Sequence, residues 1–403
     1  MLSRLTSPPS FFTIATMMFA ITTLLRPTSC FTTILTRHVR VISHHRPSIM
    51  SARTITTSAA TSFRLHSTTM NGQYNGSIDS NDIQQQQQQL WYPPSLMEHM
   101  LHRIQEINNV PYQIQQSLIN FTVNSRILGK VTPKVAAKLT SPNLPTIFEL
   151  STGTNTPTLT LSNAAGTTVE QRTKSVMKVM ELLREEGYVT GWRDELYPVA
   201  ERFDDAPVFL IERAAASLLG VMEYGVHING IIEGPQPKMW MARRSSLKSK
   251  FPGYLDHIVA GGQPYNLSLL QNVLKECDEE AGIPPELTLQ GIKPAGVISY
   301  EQYGGSAISK SRGEGVLGRV VLFCYDLILP EDFVPVPKDG EVECFFTWGL
   351  EEIGKSMDPE FDDPIKPNCY PVIIDYLIRS GAISPDSPKY LDIVRTLRSG
   401  TCS

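Results

Sequence analysis

The chain has 403 residues, 41% of them apolar and 19% charged, with a formal net charge of −4. That is enough for two or three folded domains, and the acidic balance excludes the basic footprint that nucleic-acid backbones select. Six cysteines without a CxxC pair argue against a disulfide framework and for thiols in a reducing compartment, and no stretch beyond the leader is long and apolar enough to span a bilayer.

Residues 1–78 contain no Asp or Glu, seven arginines and many Ser and Thr. That is the profile of an organelle transit peptide. The apolar run Phe11–Leu25 reads as the h-region of a secretory signal, with Ser29-Cys30-Phe31 as a cleavage region. Such a two-part leader resembles those of plastids reached through the secretory route, and a single mitochondrial presequence is the simpler alternative. Removing those seven positive charges takes the net charge from −4 to −11. We expect a leader over 1–70 and a polar linker over 71–90, ending in the run Gln84–Gln89.

Folded structure is expected from about Trp91. Pro94-Ser95-Leu96-Met97-Glu98 has the form of a capping box, and Met97, Met100, Leu101, Ile104 and Ile107 recur at helical spacing. Short strands are predicted at 121–123, 147–150 and 159–161, and a second helix from Val169 to Glu186, boxed by Thr167 and Glu170 and ended by Gly187. Residues 91–205 therefore form a small α/β domain, expected to shape the substrate pocket or to mediate a homodimer. A second domain over 206–400 begins with a helix at Phe209–Gly220. A hairpin of strands Val221–Glu233 and Met239–Arg243 follows, then a strand Leu255–Ala260. Further β structure is expected over Leu289–Tyr300, Val316–Leu329 and Val342–Trp348, with helices at Gly349–Lys355, Cys369–Arg379 and Tyr390–Arg398. This order fits a mixed sheet between helices.

Between those strands, Gly261–Ile283 reads GGQPYNLSLLQNVLKECDEEAGI. Glu276, Glu279 and Glu280 stand at i, i+3 and i+4, so one helix face carries three carboxylates, and Leu270, Val273, Leu274 and Cys277 offer the other face to a core. Gly282 suits a left-handed cap. Two carboxylates about 5 Å apart repel by roughly 3 kcal/mol at an effective dielectric near 20. A hard dication turns that repulsion into binding; a solvated acidic stripe is the plainer alternative.

The stretch resembles the Nudix box: glycine, five residues, glutamate, seven residues, Arg-Glu-apolar, one residue, Glu-Glu, one residue, glycine, apolar. Gly261, Glu276, Cys277, Glu279, Glu280, Gly282 and Ile283 fill their places. Leu267 stands where the first glutamate is usual, and Lys275 replaces the arginine, keeping charge but losing the guanidinium fork. Gly191–Val199, Glu212–Ala215, Tyr224–Gly230, Phe251–His257 and Lys293–Gly296 are similar to one subfamily, which pairs an uncharacterised N-terminal domain with a Nudix domain. It includes plant organelle Nudix hydrolases and a fungal form fused to thiamin pyrophosphokinase.

The resemblance implies a Nudix α/β/α sandwich with a mixed sheet, preceded by the small α/β domain. It also implies hydrolysis of a diphosphate to a monophosphate plus phosphate, with Mg²⁺ or Mn²⁺. The substrate it points to is a damaged oxo- or oxythiamin diphosphate, with 8-oxo-(d)GDP or another nucleoside diphosphate as the alternative. Glu276, Glu280, Glu279 and Glu341 are the expected metal ligands, with Glu279 as ligand or water-orienting group. Glu341 and Glu343 stand at i and i+2 on a predicted strand, so one ion could meet both. Lys275 is expected to fix a box glutamate. Arg243 and Arg244 at the hairpin end, the loop glycines Gly261 and Gly262, and Lys310 and Arg312 in a glycine-rich lid are the expected phosphate-binding set. An isomerase on the same fold needs an early cysteine, which Val221–His257 lacks; a non-catalytic nucleotide sensor is the reading from another class.

Overall fold

The computed structural model describes residues 94–153, 156–248, 250–304 and 315–400, so the leader, the glutamine run, Lys310 and Arg312 lie outside the described residues. The described chain opens with helix α1 (Pro94–Ile107), which already includes Ser95, so that serine is a helical residue and does not cap the helix. Next come α2 (Tyr112–Ser117), β1 (Ile119–Val123), β2 (Arg126–Val131), α3 (Pro133–Leu139), β3 (Phe148–Ser151), β4 (Thr158–Leu161) and α4 (Val169–Glu185). Thr168, one residue beyond the expected Thr167, caps α4 in a reciprocal box with Gln171. The four strands form a sheet in the order β2-β1-β4-β3, with β1 and β4 parallel. Their apolar faces bury Phe121, Leu159 and Phe148 against Val176, Val179, Met180 and Leu183 of α4.

Two strands, β5 (Leu196–Val199) and β6 (Phe209–Glu212), pair separately. The helix expected over Phe209–Gly220 is thus a strand followed by a 3₁₀ segment, Arg213–Leu218. Phe209 and Ile211 alternate into the core and pair with Val199 and Tyr197, so these first residues are taken into a strand, while the alanine run Ala214–Ala216 keeps a helical turn in the 3₁₀ segment.

The larger sheet contains β7 (Met222–Ile232), β8 (Lys238–Arg244), β9 (Leu255–His257), β10 (Val259–Gly262), β11 (Ile292–Tyr303), β12 (Leu317–Ile328) and β13 (Val342–Gly349). Its path is β11-β12-β7-β8-β13, with β10 on β7 and β9 on β8. It is mixed, since β12 runs parallel to β7 while the β11–β12, β7–β8 and β8–β13 pairs are antiparallel. Helix α5 (Leu269–Ala281) covers one face with Val273, Cys277 and Ala281, over Val226 and Ile228. Helix α6 (Pro285–Gly291) follows, where β structure was expected from Leu289; Pro285 starts it. The other face carries α7 (Leu350–Lys355), α8 (Tyr370–Arg379), α9 (Tyr390–Thr396) and, from the far end of the chain, α1. Met97, Met100, Ile104 and Ile107 of α1 are buried with Tyr370, Ile373 and Ile374 of α8. The first helix of the predicted 91–205 domain therefore packs on the second sheet. Helices lie on both faces of a mixed sheet, the layering that the resemblance implies.

Candidate active site

Helix α5 is fixed at both ends by local chemistry. The Ser268 hydroxyl accepts from Gln271 N at 3.2 Å while the Gln271 side chain accepts from Ser268 N at 2.9 Å. Gly282 sits left-handed at φ 62°, and Ile283 N returns to Cys277 O at 3.0 Å. The helix is rotated from the expected setting. Leu270, assigned to the core, is 44% exposed, and Asn272 takes the buried place, donating to Gly262 O at 2.7 Å. The buried stripe runs through Val273, Cys277 and Glu280, with Glu276 at its edge. Two of the three carboxylates thus sit against the sheet, and only Glu279 faces outward.

Glu280 is 8% exposed, and its Oε2 accepts from Ala260 N at 3.0 Å. Burial, reinforced by the charge of Glu276, holds its carboxyl well above the usual range. Oxygens of Glu280, Asp339 and Glu341 lie within 4.8 Å of one another. The Asp339 carboxylate accepts from Glu341 N at 2.8 Å, which fixes the loop carrying both. Burial pushes Glu341 up, but Lys248, 2.5 Å away, brings it below the usual carboxylate range. Glu343 is not part of this group; it accepts from Ser246 N at 2.7 Å. The i, i+2 rule fails because β13 starts at Val342 and is bulged between Val342 and Cys344.

Glu276 is 14% exposed and packs onto the glycine loop: a Cβ on Gly261 would lie 2.4 Å from its carboxyl carbon. Glu279 is 52% exposed. Lys275 spans the two, at 3.1 Å from Glu276 and 2.8 Å from Glu279. At Leu267, where the family's first glutamate is replaced, the carbonyl accepts from Gln263 Nε2 at 2.7 Å. Gln263 thus steadies the loop, a substitution that the sequence alone did not suggest.

Both predicted phosphate grips are engaged elsewhere. Arg243 makes a fork to Asp363 at 2.8 and 2.6 Å and donates to Gly253 O at 2.9 Å. Arg244 donates to Asp256 at 2.7 Å and to the carbonyls of Phe251 and Lys250. Against the glycine loop stand instead one side chain from β5 and one from the 3₁₀ turn after β6. A Cβ on Gly262 would lie 1.9 Å from Tyr197 Oη and 3.0 Å from Arg213 Cζ. Sequence reasoning assigned no role to Asp339 or Arg213 and offered Tyr197 only as a ring-stacking aromatic; no spacing signal links the three to the box.

A second cluster lies among the buried residues. His227 Nδ1 and both ring nitrogens of His257 have no hydrogen-bond partner among the described residues, and the rings are 4.9 Å apart. The Cys369 thiol donates to Asp256 Oδ1 at 2.9 Å, and Lys366 and Arg244 meet Oδ2. Burial pushes both histidines down, His257 to about 4.

Residues 99–223 match the family described as Domain of unknown function (DUF4743). The chain is 43% identical over 235 residues to Nudix hydrolase 24, chloroplastic, of Arabidopsis thaliana, covering 58% of this chain and 61% of that protein. It is also 43% identical over 238 residues to Nudix hydrolase 20, chloroplastic, of the same plant, covering 58% and 60%. The match therefore spans about three fifths of these relatives' own length. Among solved structures, the NUDIX domain of Shewanella oneidensis NrtR complexed with ADP ribose is similar at 16% identity and a TM-score of 0.30. That likeness covers 40% of this chain and 89% of that one, and is too slight to bear on function.

Proposed function

We propose, from its kinship with the Nudix hydrolases over the matched residues, that this chain is a divalent-metal-dependent hydrolase that splits an organic diphosphate into a monophosphate and phosphate. The convergence of Glu280, Asp339 and Glu341 within 4.8 Å carries the reading. Carboxylates that close repel by about 3 kcal/mol per pair at an effective dielectric near 20, and Lys248 offsets only part of this. Oxygen donors at that spacing suit a hard cation, Mg²⁺ or Mn²⁺. Glu280, Glu341 and Asp339 would hold the ion. Glu276 and Glu279, expected as ligands, stand outside this group of three; in this reading Glu276 would flank the ion from the β10 end, and Glu279, held by Lys275, would orient the attacking water. When bound, the ion supplies charge neutralisation at the phosphate oxygens and a water of lowered pKa.

The substrate class we favour is a diphosphate on an altered heterocycle, oxo- or oxythiamin diphosphate before 8-oxo-(d)GDP; the subfamily resemblance supports it. The acid-free leader and the chloroplastic names of the relatives support delivery to a plastid.

Phosphate release from a panel of these diphosphates, with ADP-ribose as a further member, tests the reading. Glu280→Gln keeps an acceptor for Ala260 N–H and should lower kcat by about 10³-fold or more while abolishing the rise in Tm that Mg²⁺ gives the wild type. Undiminished turnover in that variant sinks the assignment.

A further inference from the structure

The strand pair β5–β6 reaches the glycine loop through a built contact. Tyr265 N of the loop donates to Leu196 O of β5 at 3.1 Å. The next residue in that strand, Tyr197, is buried, with its hydroxyl against Gly262. Arg213 follows β6 and is held three ways. Its backbone N donates to Glu195 O at 2.9 Å, its Nη1 donates to Glu195 Oε2 at 2.8 Å, and its guanidinium lies 5.7 Å from the Tyr197 ring centre. Glu212, fully buried, accepts from Ala214 N and from Arg193 N, and so pins the turn that starts at Arg213. The Arg213 side chain is 40% exposed, and its Nε and Nη2 donate to no protein group among the described residues.

Gly261 and Gly262 are consecutive, their α-carbons about 3.8 Å apart. Glu276 occupies the space above the first and Arg213 and Tyr197 the space above the second. Gly261 and Gly262 close strand β10 and alternate, so Glu276 of α5 approaches from one face and Arg213 and Tyr197 from the other, and neither glycine has room for a side chain. Tyr197 and Glu195, the partner of Arg213, lie within electrostatic reach of Glu276 across this strand end. A diphosphate brings further negative charge to a site already lined by carboxylates, and Arg243 and Arg244 are spent on Asp363 and Asp256. A guanidinium fork with free donors is the group that matches phosphate oxygens.

We propose that Arg213, held by Glu195 and Tyr197, binds the phosphate end of the substrate, so that the segment preceding the larger sheet completes the site. This rests on the diphosphate-hydrolase reading above. It gives the matched domain of unknown function a part in the chemistry, since that domain then presents one arginine to the anionic end of the ligand at the end of β10, across the strand from Glu276.

Calorimetric titration of the full chain with imidodiphosphate in Mg²⁺ tests the claim apart from turnover. Arg213→Gln should weaken imidodiphosphate binding at least about tenfold, and Arg213→Lys should recover part of the loss by restoring charge without the fork. Mn²⁺ affinity measured without the anion, and the melting temperature, should match wild type. Wild-type imidodiphosphate affinity in Arg213→Gln overturns the proposal. So does an equal loss of Mn²⁺ affinity, which would mark a structural role, or a wild-type protein that does not bind the probe. A wild type that binds imidodiphosphate through Arg213 yet hydrolyses no member of the panel sinks the hydrolase reading and leaves the role of Arg213 standing.

Discussion

His257 has two ring nitrogens and no partner for either among the described residues. Its folded pKa, about 4, lies below the ordinary histidine value because burial disfavours the cation. Between about pH 6.5 and 4 the unfolded chain therefore binds a proton that the folded chain refuses, so stability falls as pH falls through that window and is fully present above it. Glu280 titrates in the opposite sense, its raised pKa favouring the folded state at low pH. The comparison that isolates the histidine is wild type against His257→Asn. From pH 7 to 4 the wild type should lose on the order of 3 kcal/mol more in urea melts. Parallel pH profiles would show that the imidazole is neutralised by something else. No pattern in the chain announced this pair: His227 and His257 are thirty residues apart and meet only because their strands belong to one sheet.

The element that matters most is the unit of β10, loop and α5. Its helix was legible in the sequence because i, i+3, i+4 spacing and a left-handed glycine are local facts, whereas the Ser268 cap emerged only in the structure. Its rotation was not, because the choice between burying Leu270 and burying Asn272 is made by Gly262 O, which needs a donor. The same unit predicts its own fragility. Gly261→Ala would place a methyl 2.4 Å from the Glu276 carboxyl carbon, so the carboxylate must shift. Since a displacement of about 1 Å can cost about 10²-fold in rate, kcat/KM should fall by that order while Tm moves little. Gly234→Ala, with nothing within 4 Å of the new methyl, is the control that should leave both unchanged. Equal kinetics in the two variants would disprove the positional argument.

At the scale of the molecule, α1 lies early in the chain and is buried beside its C-terminal helices. Arg103 Nε donates to Met357 O at 3.1 Å and its guanidinium lies 4.4 Å from the centre of the Tyr370 ring, so a polar clasp accompanies the apolar contact. Met100→Ala should cost about 2–5 kcal/mol, the usual range for a fully buried side chain truncated to alanine. A fragment starting at residue 206 lacks α1 and exposes the apolar side of α8, so we expect it to aggregate; a soluble fragment with native-like melting would overturn that expectation. Which core receives α1 was hidden from sequence, because helical periodicity says only that the helix has a core face.

The local commitments can all be read along the chain: the three glutamates on one helical segment, the glycines at its ends, the hairpin of β7 and β8. These depend on backbone geometry over a few residues, and the residue types carry that geometry with them. Which charges meet is a different matter and waited on the folded arrangement. Arg243 was free to be a phosphate ligand until Asp363 arrived from 120 residues away. Asp339 and Arg213 had no assignment until one loop came beside Glu280 and another segment came against Gly262. Electrostatic partners are fixed by distance in space, and distance in space is settled by how whole layers pack.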